Sequence, residues 1–97
     1  MKVTGVEWDR ANRRHFREHG RCTEEQVEDV LLQRRYPSRA APVGPGRYRF
    51  EGRTASGRHI VVIVARVGSA EFRPITCWPL AGRRLESYRA WRRTIRR

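Results

Sequence analysis

Residues 60–65 read Ile-Val-Val-Ile-Val-Ala, apolar at six consecutive positions. Side chains of a strand point alternately to opposite faces, so a strand apolar on both faces belongs in the middle of a sheet. The run is far short of the roughly 20 residues that span a bilayer. Turn residues bound it, with Ala55-Ser56-Gly57 before and Val67-Gly68-Ser69 after. On the near side, Arg47 to Thr54 alternates: Tyr48 and Phe50 share one face, while Arg47, Arg49, Glu51 and Arg53 share the other. On the far side, Ala70 to Trp78 reads as a third strand that Pro79 closes. With Arg58 to Arg66 between them, the three form a meander of consecutive hairpins.

The rest of the chain reads as a short first strand, three helices and one loop. Val3 to Trp8 reads as a short strand. Asp9 is a good N-cap for a helix over Arg10–His19, which Gly20 ends in a left-handed cap. Thr23-Glu24-Glu25-Gln26 is a capping box, and the helix it opens carries Val27, Val30 and Leu31 at helical spacing before fading near Arg34. Tyr36 to Gly46, with Pro37, Pro42, Pro45, Gly44 and Gly46, reads as a loop. The last segment, about Gly82 to Ile95, is a basic amphipathic helix with the stripe Leu85, Tyr88, Trp91 and Ile95. The order β-α-α-β-β-β-α predicts one α+β domain: a small antiparallel sheet with helices on one face and the row Arg47, Arg49, Arg53 open to solvent on the other. A chain of 97 residues allows one such domain and no more.

Charge is distributed unevenly. Residues 1–29 hold six Lys/Arg against seven Asp/Glu, whereas residues 30–97 hold sixteen Arg against three Glu, within a total of +12. Solubility alone does not require that asymmetry. A phosphate backbone or an acidic protein partner would exploit it. Twenty-one of the 22 basic residues are Arg, whose guanidinium pairs bidentately with phosphate and stacks on bases. Cys22 and Cys77 have no CxxC spacing, and reduced, partly buried thiols are expected of them. Met1-Lys2 leads into a strand pattern rather than an apolar signal segment, so the expected address is the cytoplasm, without a membrane.

RNA can be cut without a metal or cofactor when a protein orients the 2′-hydroxyl, neutralises the phosphorane and moves protons. His59, beside Arg58 at the start of the central strand, is a candidate for acid/base work; a solvated turn histidine is the alternative. Arg73, between Phe72 and Pro74, needs a partner or a phosphate, and a salt bridge to Glu51 or Glu71 would satisfy it. Arg83 and Arg84 oppose the dipole of the helix they begin, which suits phosphate better than stability. Tyr88 packs in the apolar stripe or stacks a base. His15 and His19 stand at i and i+4, but with no Glu between them and no third ligand, so no metal is expected.

Several motifs, in order, resemble the BrnT-type toxins of type II toxin–antitoxin systems. Trp8-Asp9, Asn12, His19-Gly20 and the Glu-rich start of the next helix resemble that family's opening. Gly52-Arg53-Thr54 and Gly57-Arg58 with the apolar strand resemble its central block. Arg73-Pro74-Ile75-Thr76, Arg83-Arg84 and Tyr88 resemble its close. The resemblance runs from about Val6 to Arg93. It departs from the family at Cys77-Trp78-Pro79, where many relatives carry a basic residue, and in the Pro37–Gly46 loop. The resemblance implies a RelE-like fold, a metal-independent endoribonuclease that halts translation by cutting mRNA, free or on the ribosome, and a BrnA-type antitoxin with a ribbon-helix-helix DNA-binding part. Residues and resemblance together assign catalysis to Arg58, His59, Arg73 and Tyr88. They assign RNA binding to Arg47, Arg49, Arg53, Arg83 and Arg84. Two other readings are a module that binds RNA or the ribosome without cutting, and a co-repressor acting through a DNA-binding antitoxin.

Overall fold

A computed structural model describes residues 1–95. The elements run β1 (Gly5–Val6), α1 (Arg10–His19), α2 (Glu24–Leu31), β2 (Arg39–Gly44), β3 (Arg47–Arg53), β4 (His59–Arg66), β5 (Glu71–Pro79) and α3 (Gly82–Thr94). The five strands form one sheet in the order β1-β5-β4-β3-β2. The protein is α+β, as the pattern of elements predicts, with one strand more than expected.

That strand is β2, inside the segment expected to be a loop. It sits at the sheet edge and pairs only with β3, from Arg39 opposite Glu51 to Pro42 opposite Tyr48, then slips by one residue before Gly44. An edge strand tolerates Pro42 because one row of its backbone groups needs no ladder partner. At the opposite edge β1 is only two residues long and runs parallel to β5. The sheet is therefore mixed rather than purely antiparallel.

The helices lie on both faces, not one. Ile60, Val62 and Val64 of β4 join Phe50 and Phe72 in a core closed by Phe16 of α1 and by Val27, Val30 and Leu31 of α2. Val61 points the other way and is buried with Leu80 and Tyr88, against Leu85 and Trp91 of α3. The reason is the pattern of β4 itself. Each buried Val or Ile side chain gains about 1.5–3 kcal/mol only if its own face is covered. Consequently the row Arg47, Arg49, Arg53 is not wholly in solvent: Arg47 is exposed, but Arg49 and Arg53 are half-buried.

Both predicted caps form. The Asp9 carboxylate accepts from the Asn12 amide at 2.9 Å while the Asn12 side chain accepts from the Asp9 amide at 2.8 Å. Thr23 and Gln26 exchange the same pair of bonds at 3.1 Å each. α2 stops at Leu31, earlier than Arg34, and Gln33 follows in a left-handed conformation (φ 52°). Gly52 lets α2 approach the sheet, since a Cβ there would strike the side chains of Ser38 and Val30. Asp29, also buried, accepts the Ala55 amide at 3.0 Å and ties the β3–β4 turn to α2.

Cys22 and Cys77 are joined in a disulfide, against the expectation of reduced thiols. They are 55 residues apart, and their pairing is invisible until α1 folds onto β5 and brings the α1–α2 loop over that strand. Both sulfurs are buried in the main core. Closing a loop of that length stabilises a domain by about 2–4 kcal/mol. Reduction, or a Cys22→Ser/Cys77→Ser double variant, should lower unfolding free energy by about that amount in a denaturant titration; an unchanged midpoint would show that the bond adds nothing to the fold.

Candidate nucleic-acid interface

Arg53 and His59 face each other as the last cross-strand pair before the β3–β4 turn. The alternation that points Phe50 into the main core turns both of them toward α3. That helix brings Tyr88, Arg89 and Arg92 alongside. Together with Arg93 these residues line an open cleft of about 330 Å³, and among the described residues no carboxylate stands in its walls.

Each wall is held by a specific contact. The Arg53 guanidinium lies over the Tyr36 ring, 4.5 Å from its centroid, and its Nε donates to the Gly57 carbonyl at 3.4 Å. The cation–π contact spreads that charge over a flat support without cancelling it. Tyr88 is buried, and its hydroxyl donates to the Pro37 carbonyl at 2.7 Å, fixing α3 to the segment that enters β2. The His59 ring meets Tyr88 edge-on at 5.7 Å, and its backbone carbonyl accepts the Leu80 amide at 3.0 Å.

Electrostatics separate the roles of the two titratable side chains. Burial, and then the charges of Arg53 and Arg89, push the His59 imidazole below its ordinary 6.5. The shift favours the neutral imidazole, the form able to accept a proton. Burial raises the Tyr88 phenol above 10 against the pull of Arg92 and Arg53. Tyr88 is therefore a neutral donor committed to Pro37, and it shapes the cleft rather than moving protons in it.

The remaining predicted residues lie elsewhere. Arg58 is sequence-adjacent to His59 but reaches the opposite side, where its Nη1 donates to Gln26 Oε1 at 3.0 Å. Arg73 pairs with Ala65, six positions along β4 from His59, which is roughly 20 Å at strand rise. Its partners are Glu7 and Asp9, at 3.2 and 2.5 Å, not Glu51 or Glu71. The Arg73 hydrogen bond, followed by the Asn12 amide, holds the Asp9 carboxyl at about 2. Arg73 is thus a clamp between β5 and the start of α1.

Arg49 and Arg84 gather around Glu51, a carboxylate only 2% exposed, at 3.6 and 3.5 Å. Arg39 donates to the same group through Nε at 3.0 Å and Nη2 at 2.8 Å, and also reaches the Ser87 carbonyl of α3 at 3.3 Å. Arg47 and Arg83 are exposed. Arg58, His59 and Arg73 consequently occupy three separate places, and of the predicted set only Arg53, His59 and Tyr88 meet.

Sequence reasoning missed Arg89, Arg92, Arg93 and Tyr36. Arg92 stands one helical turn beyond Tyr88, so the stripe that locates Tyr88 also places Arg92 beside it. Tyr36 carried no such signal, because its segment read as loop. The His15 and His19 rings approach to 4.4 Å, and among the described residues no group of three His, Cys, Asp or Glu converges to hold a metal.

Two titrations check this geometry. In proton NMR the His59 ring should titrate below 6.5, and Arg89→Ala should move its midpoint upward by removing one repelling charge. A wild-type midpoint at or above 6.5 would contradict the cleft as described. The same lowered value means that His59 favours folding fully above its unfolded pKa and loses that contribution as the pH falls beneath it. Asp9 behaves likewise at lower pH, its clamp being whole above 3.8 and opening as the pH falls toward 2. Arg73→Ala should bring the Asp9 midpoint back up toward 3.8.

The chain matches no family model, no curated protein and no solved structure.

Proposed function

We propose that this protein is a metal-independent endoribonuclease that arrests translation, the toxin of a BrnT-type toxin–antitoxin pair. The observation that carries the reading is the cleft in which His59, its neutral form favoured, stands among Arg53, Arg89 and Arg92 with no carboxylate in the walls among the described residues. A phosphodiester is the ligand such a site is made to receive. Several guanidiniums can bind its oxygens, and the imidazole accepts a proton nearby.

The chemistry follows from those groups. A phosphodiester settles against Arg53, Arg89 and Arg92, and the 2′-hydroxyl beside it gives its proton to His59. The 2′-oxygen attacks phosphorus while the bond to the 5′-oxygen breaks, and the departing oxygen takes a proton from water. The products are a 2′,3′-cyclic phosphate and a 5′-hydroxyl. The arginines matter most at the phosphorane, where an additional negative charge develops. His59 then returns its proton to solvent.

A net charge of +12 also favours capture by an acidic antitoxin, and the BrnT resemblance makes a BrnA-like protein with a ribbon-helix-helix part the expected partner. A second reading, an RNA-binding module without cleavage, draws on one specific observation. The cleft is lined by a single imidazole, and the phenol lining it, that of Tyr88, is already bonded to Pro37.

The deciding experiment incubates the purified chain with a synthetic RNA in chelator, beside a 2′-deoxy copy. The expected outcome is cleavage of the RNA alone, leaving cyclic phosphate ends, with His59→Ala slowing it about 10²–10⁴-fold. Cleavage that survives His59→Ala at full rate would remove this cleft from the chemistry. Binding without any product, on naked RNA and on translating ribosomes alike, would favour the second reading.

A further inference from the structure

The opposite side of the sheet carries a second cationic recess. Arg13, Arg17 and Arg21 of α1 and its following loop, with Arg58, surround a cavity of about 440 Å³ whose floor includes the buried side chains of Phe16 and Cys22. Glu24 also lines it, but is bound to Arg13 at 3.0 Å. Among the described residues, Arg17, Arg21 and Arg58 have no carboxylate within 4 Å. Arg58 is nevertheless fixed, because Gln26 Oε1 accepts its Nη1 while also accepting the Thr23 amide of the capping box. Three uncompensated guanidiniums thus surround an apolar floor, the composition that receives a phosphate beside a base.

Its position relates it to the first cleft. Arg58 and His59 are consecutive residues whose side chains leave the chain toward opposite faces, so each recess has a wall residue next to the turn at residues 54–57, one on either face of the sheet. We infer that this recess is a second RNA-backbone site, and that a single strand bound at His59 passes around the β3–β4 turn to be held again by Arg17, Arg21 and Arg58. The inference rests on the RNA reading above and extends it: the substrate would be unpaired RNA several nucleotides longer than the bond that is cut. A duplex, stiff over many base pairs, could not pass from one face of the sheet to the other around a single turn.

The test measures binding of non-cleavable 2′-O-methyl RNA at two lengths, about 4 and about 16 nucleotides, the range of common single-strand sites. Wild type should hold the longer strand at least about tenfold more tightly, as expected when phosphates beyond the first cleft are contacted. Arg17→Ala/Arg21→Ala should erase most of that length increment. It should also reduce the salt dependence on the long strand by about 1.4 in log–log slope, the value for two phosphate contacts to a single strand. Both side chains are exposed, and an unchanged circular dichroism melt would confirm that the variant folds. Arg17→Gln/Arg21→Gln provides a second pair with helix-compatible side chains.

An unchanged increment and slope would overturn the second site while leaving the function of the first cleft intact. Wild type that binds neither strand would overturn both. If the variant keeps its RNA increment but loses affinity for a polyglutamate peptide, the recess belongs to an acidic protein and the inference fails.

Discussion

β4 must be covered twice, and much of the architecture follows from that requirement. Ile60, Val62 and Val64 on one face and Val61 on the other are all essentially removed from water. No single layer of helices can do this, so α1 and α2 close one side and α3 the other. The consequence for function is direct. α3 is brought over the sheet because Val61 needs cover, and Arg89 and Arg92 arrive with it. The apolar stripe of that helix is the anchor, and its arginines are the cargo.

Arginines are everywhere on this surface, so the informative distinction is between those that are neutralised and those that are not. Arg73 is held by Asp9 and Glu7, Arg39 by Glu51, and Arg34 by Glu28 and Asp29. These pairs connect elements and have little positive charge to spare. Arg53 is supported by an aromatic ring instead of a carboxylate, and Arg58 by a neutral amide. Such supports order a guanidinium while leaving its charge available to a ligand. By that criterion Arg53 and Arg58 keep their charge available at the β3–β4 end of the sheet, one on each face.

Glu51 shows how a buried charge can organise a cationic surface without creating a binding site. Its carboxylate lies under α3 on the face of β3 that also carries Arg49 and Arg53, and it draws in Arg39, Arg49 and Arg84 from three elements. A carboxylate so enclosed is tolerable only because several cations surround it. Those cations are thereby committed to the fold, and β2 and α3 are linked through Arg39, which also bonds the Ser87 carbonyl.

The amino-acid sequence by itself determined the local structure. Asp9 and Thr23 begin helices because their side chains satisfy free amides within a few residues. β4 is central because its apolar pattern is continuous, and the charge asymmetry is plain in the order of residues. Only the tertiary structure decided which distant groups meet. Cys22 reaches Cys77, Arg73 finds Asp9 and Glu7, and Tyr36 slides beneath Arg53, across separations that no periodicity encodes. The edge strand β2 was illegible for a related reason: its Pro42 forbids a central strand but not an edge, and edge position is a property of the whole sheet. The candidate site divides the same way. His59 and Arg53 could be named from their place beside a turn, but their union with Tyr88, Arg89 and Arg92, and the separation of His59 from its neighbour Arg58, depend on which face each side chain takes once both faces of the sheet are covered.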